Sequence, residues 1–421
     1  APLSNQLTIG HMSLENYTGS ATQQAKALRM VRDVLLYPDV VGVSEVSNLT
    51  ALQNLAAAIN AQQAGLNYAA YLGSGTGTQN VGFLAKTARI TILGTPGQIL
   101  DTVTYIDPSD GSNDLLHDRP PYVLKGRAQT PGGGNFDFTA IVVHLRSLID
   151  VDSDAVNGAT TEGNRVRTKR RLAAENIASY LQSQQLANPT ERVIVVGDYN
   201  AYEFNDGYVD VLGTLTGNPT PDAQVVQASG DLLTPNFIDL VTTNKIDASE
   251  RFSYIFGGSR QVLDHVLISQ SFGAFISALR YGRTNTEFPE SLGSDTTRPE
   301  RVSDHDPVLA YVTLPNNPLN DITGVTRVSS TGLFLVSGGY NGFVRLTNLS
   351  GQTLTGPLHV VFDTLPAGVT VANAAGTFQG KPYVSTPGPL ANGATANISV
   401  RYLNPGNVLI QPTYRALQGS F

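Results

Sequence analysis

Apolar and polar positions alternate in blocks that divide the first 315 residues into strands and helices. Short apolar runs typical of buried strands occur at 6–14, 38–46, 81–85, 136–143, 192–196 and 261–268. Apolar residues at helical spacing predict helices over 22–36, over 48–64 and from 165 to about 185. Strands that alternate with helices in this way predict an α/β fold for this part of the chain.

The pattern changes after residue 315. Asn316-Asn317-Pro318-Leu319-Asn320 predicts a linker, and short strands at 342–348, 358–363 and 396–402 follow between Gly, Pro and Asn turns. These features predict a β-sandwich of the immunoglobulin-like kind. We therefore expect two domains, 1–315 and 318–421, with no candidate catalytic cluster in the second.

Polar residues end or interrupt the strongest strands of the first domain. They are Glu45, His144, the pair Asp198 and Asn200, Asp264, and the run Ser303-Asp304-His305. A carboxylate at the end of an apolar strand is costly unless it has a partner such as a metal ion. Taken singly, each cluster has an ordinary alternative: Glu45 as a solvated strand end, His144 as a core histidine, and 303–305 as a polar turn.

Composition narrows the possible functions. Only 14% of residues are charged and the net charge is −7, so phosphate binding must be local or mediated by a metal. The absence of cysteine excludes disulfides, thiolate metal sites and cysteine nucleophiles. No apolar run reaches about 18 residues, so we expect no membrane span.

Basic and glycine-rich segments give weaker signals. Arg119, in Asp118-Arg119-Pro120-Pro121, has the forked geometry that suits a phosphate. Five of the seven residues 165–171 are basic, which fits either a nucleic-acid contact or a solvated helix face. Pro131-Gly132-Gly133-Gly134 lacks the Gly-Lys-Ser/Thr of a phosphate-binding loop and instead predicts a hairpin turn.

In their order along the chain, the motifs resemble those of the endonuclease/exonuclease/phosphatase (DNase I-like) superfamily. The matching pieces are Val43-Ser44-Glu45-Val46, Val143-His144-Leu145-Arg146-Ser147, Gly197-Asp198-Tyr199-Asn200-Ala201, Leu263-Asp264-His265-Val266-Leu267 and Ser303-Asp304-His305-Asp306-Pro307-Val308. They span about residues 6–314 and look closest to secreted bacterial nucleases with added β-domains. The resemblance implies a four-layer α/β-sandwich, in which two mixed sheets pack face to face with helices outside.

The resemblance also implies roles for individual residues. Glu45 and Asp304 would ligate a divalent cation together with Asp198, and Asp198 and Asn200 would orient or activate water and bind phosphate. His305 would pair with Asp264 as an acid/base dyad, His144 would contact the scissile phosphate, and Arg119 would bind substrate. Ser13 stands where the family usually has a metal-side asparagine, which places the geometry of the metal site in question.

We therefore expect a secreted phosphodiesterase that depends on Mg²⁺ or Mn²⁺, with Ca²⁺ as an alternative, and acts as a nuclease on DNA or RNA. A first alternative is a phosphatase- or sphingomyelinase-like enzyme for small or lipid phosphoesters, which exposed apolar residues near the cleft would favour. A second is a catalytically inactive binding protein. The start Ala1-Pro2-Leu3-Ser4, without methionine, leads us to expect a trimmed bacterial signal peptide; we also expect a monomer.

Overall fold

A computed structural model of the chain describes residue 3 and residues 5–131, 134–315 and 319–419. They form two compact units, one from Ala1–Ala128 and Asp137–Leu314 and the other from Gln129–Phe136 and Pro315–Phe421. The segment Gln129–Phe136 thus groups with the C-terminal region. The predicted turn at 131–134 and linker at 316–320 lie partly outside the described residues.

The first unit is built from short strands and a few helices. Up to residue 313 the strands are β1 (Gln6–Tyr17), β2 (Val40–Val46), β3 (Tyr68–Leu72), β4 (Asn80–Lys86), β5 (Ile90–Ile92), β6 (Gly97–Gln98), β7 (Thr104–Ile106), β8 (Asn113–Leu115), β9 (Tyr122–Gln129), β10 (Asn135–His144), β11 (Val156–Asn157), β12 (Thr160–Thr161), β13 (Val193–Asp198), β14 (Ile238–Asp239), β15 (Tyr254–Phe256), β16 (Ser259–Gln261), β17 (Asp264–Ile268), β18 (Ile276–Tyr281) and β19 (Val308–Thr313). The helices are α1 (Ala21–Arg29), which continues as a π-helical turn (Met30–Val34), α2 (Leu49–Asn60), α3 (Glu162–Ala187), α4 (Val211–Thr216) and α5 (Gln270–Gly273).

The main sheets lie between two layers of helices. In the described part of the chain one sheet has the strand order β18-β19-β1-β2-β4-β3 and the other has the order β14-β17-β13-β10-β9-β5. Helices α1 and α2 share an apolar core with the first sheet, and α3 and α4 share one with the second. The inner faces meet closely, since a Cβ at Gly42 would lie 2.9 Å from a Val142 methyl carbon. The predicted mixed α/β class is confirmed.

Capping and apolar spacing explain where the first two helices form. Ser20 and Gln23 cap α1 reciprocally, and the Asn48 side chain accepts from the Ala51 amide at the start of α2. The buried positions of α2 recur at helical spacing: Ala51, Leu52, Leu55, Ala56 and Ile59. No helix among the described residues is both long and apolar enough to cross a membrane.

The sequence predicts a hairpin of strands 252–255 and 261–268 with Gly257 and Gly258 in its turn, and the structure shows a shorter one. Strand β15 pairs with β16 across Gly257 and Gly258, both with positive φ, and the hairpin ends at Gln261. Strand β17 instead pairs with β13 and β14 in the second sheet. Every residue of β17 is buried, so its apolar run belongs in a central strand rather than in an exposed hairpin.

The second unit is composed of strands with one short 3₁₀ turn (Thr323–Val325) in its described part. Its strands beyond residue 319 are β20 (Asn320–Asp321), β21 (Thr326–Val336), β22 (Gly339–Asn348), β23 (Leu358–Thr364), β24 (Thr370–Val371), β25 (Gly376–Phe378), β26 (Lys381–Thr386), β27 (Thr395–Leu403) and β28 (Thr413–Gln418). Two sheets, β20-β28-β23-β26-β25 and β21-β22-β27-β24, contribute side chains to one apolar core. The immunoglobulin-like assignment of this unit stays a prediction.

Candidate active site

A cleft of about 640 Å³ lies at one end of the two main sheets. Most of the residues singled out from the sequence line it: Glu45, Arg119, His144, Asp198, Asn200, Asp304 and His305. Strand β2 ends at Glu45's neighbour Val46, β10 ends at His144 and β13 ends at Asp198, while 304–305 come just before β19. The fold therefore gathers at one site polar residues that are far apart in sequence.

Strand register aligns three of these residues across the second sheet. His144 is paired with Asp198 in the parallel strands β10 and β13, and Asp198 is paired with Asp264 in the antiparallel strands β13 and β17. Cross-strand partners project from the same face of a sheet, so the three side chains form a row. Gly197 permits this close packing, because a Cβ there would lie 2.0 Å from the Val143 carbonyl oxygen.

Asp264 is fully buried and holds two imidazoles. His305 Nδ1 donates to Asp264 Oδ2 at 2.7 Å, and His11 Nδ1, from β1 of the facing sheet, donates to Oδ1 at 3.0 Å. Burial raises the pKa of Asp264, but the two imidazoles outweigh it and hold that pKa below its usual range. Burial lowers the pKa of His305, but Asp264 and Asp198 outweigh this effect and raise that pKa well above 6.5. His305 is therefore a cation at neutral pH that faces the cleft.

Asp198 lies beside this pair in a different environment. Burial raises the pKa of Asp198 to about 6, although the charge of His305 opposes the shift. The Asn200 amide nitrogens donate to both carboxylate oxygens of Asp198, at 2.8 and 3.1 Å. His144 Nε2 lies 3.4 Å from Asp198 Oδ2, and burial lowers the pKa of His144 well below 6.5. The site thus holds a carboxylate suited to accept a proton beside a neutral imidazole.

Carboxylates crowd the opposite rim of the cleft. Burial and then the charge of Asp304 raise the pKa of Glu45, and the same two causes raise that of Glu15. Glu45 has a left-handed backbone, with φ +61°, and accepts from the Asn16 amide and from Gln79 Nε2. Ser13 Oγ lies 3.5 Å from Glu45 Oε1. The serine that stands at the family's usual asparagine position therefore reaches the Glu45 carboxylate.

These donors fit one mode of cation binding. Among the described residues, no group of three or more His, Cys, Asp or Glu side chains is arranged to hold a metal ion. Mg²⁺ is commonly bound by one or two carboxylates, with water and substrate phosphate completing its shell. Glu45 and Asp304 repel each other and retain oxygen lone pairs toward the cleft, so they fit this mode. Asp198 is instead engaged with Asn200, and its predicted part in metal binding stays a prediction.

Arg119 lines the cleft but is held by the protein. Its guanidinium donates to the carbonyl oxygens of His144 and Leu145, at 3.1 and 2.8 Å, and to Gln79 Oε1 at 3.0 Å. Arg146 lines the same cleft, and no hydrogen bond or ion pair of its side chain is found within the described ranges. Arg146, from the matched motif after His144, is therefore the guanidinium more available to a phosphate.

The basic side chains of residues 165–171 bind partners within the protein. Its five cationic side chains pair, in chain order, with Glu162, the Val151 carbonyl, Asp118, Asp206 and Glu175. The Val151 and Asp118 contacts brace segments that border the cleft. The run is thus neither a free nucleic-acid patch nor a solvated helix face.

Some residues of the site were not foreseen from the sequence. His11, two residues before Ser13, is fully buried and hydrogen-bonded to Asp264 and to Ser44 Oγ. Gln79 links Glu45 and Arg119. The Tyr254 ring packs on His305 with centroids 4.8 Å apart. These three residues come from strand β1, a loop and a short hairpin. Their positions at the site depend on how the two sheets pack against each other, so the sequence alone does not indicate them.

Comparisons with known proteins give similarities of structure alone. No family model and no curated protein matches the chain. Truncated TDP2 from Caenorhabditis elegans is 14% identical with a TM-score of 0.44, over 73% of this chain and 97% of that one. An endonuclease/exonuclease/phosphatase family protein from Bacteroides thetaiotaomicron is 14% identical with a TM-score of 0.44, over 75% and 99%. D. rerio TDP2 complexed with single strand DNA product is 16% identical with a TM-score of 0.40, over 73% and 99%. The chain is similar to these proteins, and its own site geometry supports the function proposed below.

Proposed function

We propose that this cleft hydrolyses phosphodiesters with the help of a divalent cation held by Glu45 and Asp304. The observation that carries the proposal is that one cleft holds a buried carboxylate, Asp198, beside an imidazole, His305, that is hydrogen-bonded to Asp264. Asp198 has its pKa raised to about 6, and His305 has its pKa raised well above 6.5 by Asp264. Such a pair supplies a base and an acid together.

The protein's own groups then divide the reaction between them. Asp198 accepts a proton from the attacking water, and the Asn200 amide keeps the carboxylate in position. His305 donates its proton to the leaving oxygen, and Asp264 stabilises the imidazolium until that step. His144, neutral because burial lowers its pKa, is placed to contact a non-bridging phosphate oxygen. The cation, when bound, neutralises phosphate charge, and Mg²⁺ or Mn²⁺ suits the oxygen donors.

We propose a nucleic acid as the substrate. The cleft offers the flat rings of Tyr202 and Tyr254 beside the catalytic groups, and Arg146 is available to a phosphate. Aromatic side chains and an arginine in a groove suit the bases and backbone of a single strand. In keeping with the sequence, we propose that the enzyme is secreted and acts as a monomer.

A second candidate is favoured by one observation at the rim. Ile149 and Phe256 line the cleft and remain 68% and 66% exposed. Exposed apolar side chains beside a site mark contacts with apolar partners, and a lipid phosphodiester is such a partner. This is the feature that the sequence left open as favouring the lipid alternative.

A substrate panel tests both candidates. The purified protein is assayed on single- and double-stranded DNA, on RNA, on bis(p-nitrophenyl) phosphate and on sphingomyelin vesicles, with EDTA followed by Mg²⁺ or Mn²⁺. We expect metal-restored cleavage of bis(p-nitrophenyl) phosphate and of single-stranded oligonucleotides. Cleavage of sphingomyelin alone would select the second candidate, and no cleavage of any phosphodiester would contradict the proposed activity.

A further inference from the structure

Lys26, on α1, is a buried cation with an unusual set of partners. It is 2% exposed, and its ammonium donates to the carbonyl oxygens of Leu292, Asp295, Arg298 and Glu300, at 2.9, 3.0, 3.2 and 2.7 Å. No ion pair of Lys26 with a carboxylate is found among the described residues. A buried charge is costly unless it is compensated, and here four backbone dipoles, with the nearby charges of Asp295 and Glu300, provide the compensation.

The four carbonyls belong to one loop, which wraps around the ammonium. The loop opens with a 3₁₀ turn (Glu290–Ser294) and continues to Glu300. A second side chain of α1 holds the same loop, because Arg29 Nε donates to the Thr296 carbonyl at 2.7 Å. Rings of carbonyl oxygens are the means by which proteins bind bare cations. The ammonium therefore occupies the position that a small cation would take in such a ring.

The loop runs directly into the catalytic segment. The Arg301 amide donates to the Thr284 carbonyl at 2.9 Å, and the Val302 amide donates to Asn285 Oδ1 at 3.0 Å. Asn285 is itself buried, and its Nδ2 donates to the His305 carbonyl at 2.6 Å. The chain from the carbonyl ring to His305 is thus held in place by successive bonds, with Asp304 inside the held segment.

We propose that Lys26 is a positioning residue whose ammonium acts as an internal cation, ordering the 290–300 loop and so fixing Asp304 and His305 at the cleft. The catalytic consequence rests on the proposed function, whereas the ordering of the loop does not. A small cation that can enter the ring, such as methylammonium or K⁺, should partly replace the ammonium when the side chain is shortened to alanine.

Variants of Lys26 test this directly. We compare Lys26→Met and Lys26→Ala with Lys125→Met, a control lysine whose side chain is 50% exposed. Hydrogen exchange of residues 290–305 and the melting temperature are measured with and without methylammonium, K⁺ or tetramethylammonium, and kcat and KM are measured on bis(p-nitrophenyl) phosphate.

We expect faster exchange of 290–305 in both Lys26 variants and a fall in kcat of about tenfold or more, with a smaller change in KM. Methylammonium or K⁺ should restore protection and rate in Lys26→Ala. Tetramethylammonium, which has no N–H and is too large for the ring, should not. Lys125→Met should behave as the wild type.

The proposal would be overturned if residues 290–305 of Lys26→Met exchanged hydrogen at the wild-type rate. It would also be overturned if no small cation restored protection or rate in Lys26→Ala. If neither variant folds, exchange of the Lys26 ammonium protons in the intact protein decides by NMR: slow exchange supports the ring, and exchange at the rate of a surface lysine refutes it. If the wild type proves inactive, the proposed function fails, while exchange and melting still test the loop.

Discussion

Two His–Asp pairs use neighbouring residues of the same strand and serve different ends. Asp264 and His265 are adjacent in β17, so their side chains project from opposite faces of the sheet. Asp264 pairs with His305, whose ring also lines the cleft. His265 pairs with Asp239 at 2.8 Å, and its other nitrogen donates to the Ala201 carbonyl at 2.9 Å.

The difference between the pairs lies in the second nitrogen of each ring. Both nitrogens of His265 donate to acceptors, which makes it a fully satisfied buried cation. In the cleft pair His305 Nδ1 binds Asp264, and no partner of Nε2 is found among the described residues, so Nε2 remains available to a substrate. A carboxylate next to an imidazole is therefore not by itself a catalytic dyad, and the free nitrogen decides whether it can be one.

The strongest test of this comparison exchanges each histidine for glutamine. We expect His305→Gln to reduce kcat about 10²- to 10⁴-fold, the usual contribution of a general acid. His265→Gln should keep kcat within a few-fold of the wild type, because His265 does not reach the cleft. Rates on bis(p-nitrophenyl) phosphate and circular dichroism spectra of both proteins provide the measurement. Equal losses of rate in two folded variants would show that the two pairs are not functionally distinct.

Asp304→Ala changes the cleft and removes no hydrogen bond between the partners of either His–Asp pair. We expect a loss of rate greater than about tenfold, because the cation would lose one of its two carboxylates. The fold should persist, and removing Asp304 should relieve the repulsion that raises the pKa of Glu45. Assays over a range of Mn²⁺ concentrations, with thermal melts, measure both effects. A variant that keeps more than about a tenth of the wild-type rate would argue against Asp304 as a ligand.

Replacing Ser13 by asparagine sharpens the description of the same rim. Asparagine carries its oxygen about one bond further than serine, toward the Glu45 carboxylate. An added hydrogen bond or ligand to a charged group is worth roughly 1.5–3 kcal/mol, so we expect affinity for Mn²⁺ to rise about tenfold. Calorimetric titration of both proteins measures it. Unchanged affinity in a folded variant would mean that the site does not lack this ligand.

The smallest effect concerns stability and its dependence on pH. Burial lowers the pKa of His265, but Asp239 raises it by a larger amount. The pKa of His265 therefore lies above its ordinary value. A group with a raised folded-state pKa stabilises fully below its unfolded pKa of about 6.5, and that stabilisation is lost as the pH rises through the folded value. We therefore expect His265→Gln to cost about 1–3 kcal/mol at acidic pH and less at alkaline pH. Denaturant unfolding at several pH values tests this, and a cost that grows with pH would contradict it.

Features that depend on neighbouring residues in the sequence could be predicted from it, whereas features that depend on contacts between distant segments could not. The helices at α1 and α2 and the central strands followed from apolar periodicity, which is a local signal. The pairing of Asp264 with His305 came from the family resemblance, and the two side chains are hydrogen-bonded at 2.7 Å, while their acid/base role stays a prediction. The part played by His11 could not be foreseen, because it depends on how the first sheet faces the second. The basic run was ambiguous for the same reason, since its partners lie in distant loops.

The pairing of α3's basic residues has a consequence for how the protein responds to salt. Each DNA phosphate that a protein neutralises releases counterions, and the affinity then falls with salt by a slope of about −0.9 per contact. The cations of α3 are already paired within the protein. In the described part of the chain, two arginines and no lysine line the cleft, namely Arg119 and Arg146. With about one or two phosphate contacts, binding to a nucleic acid would weaken about three- to twelvefold between 50 and 200 mM salt, whereas six to ten contacts would cost about 10³- to 10⁵-fold. The proposed nuclease would therefore lose less affinity with added salt than a nuclease that relies on a basic surface.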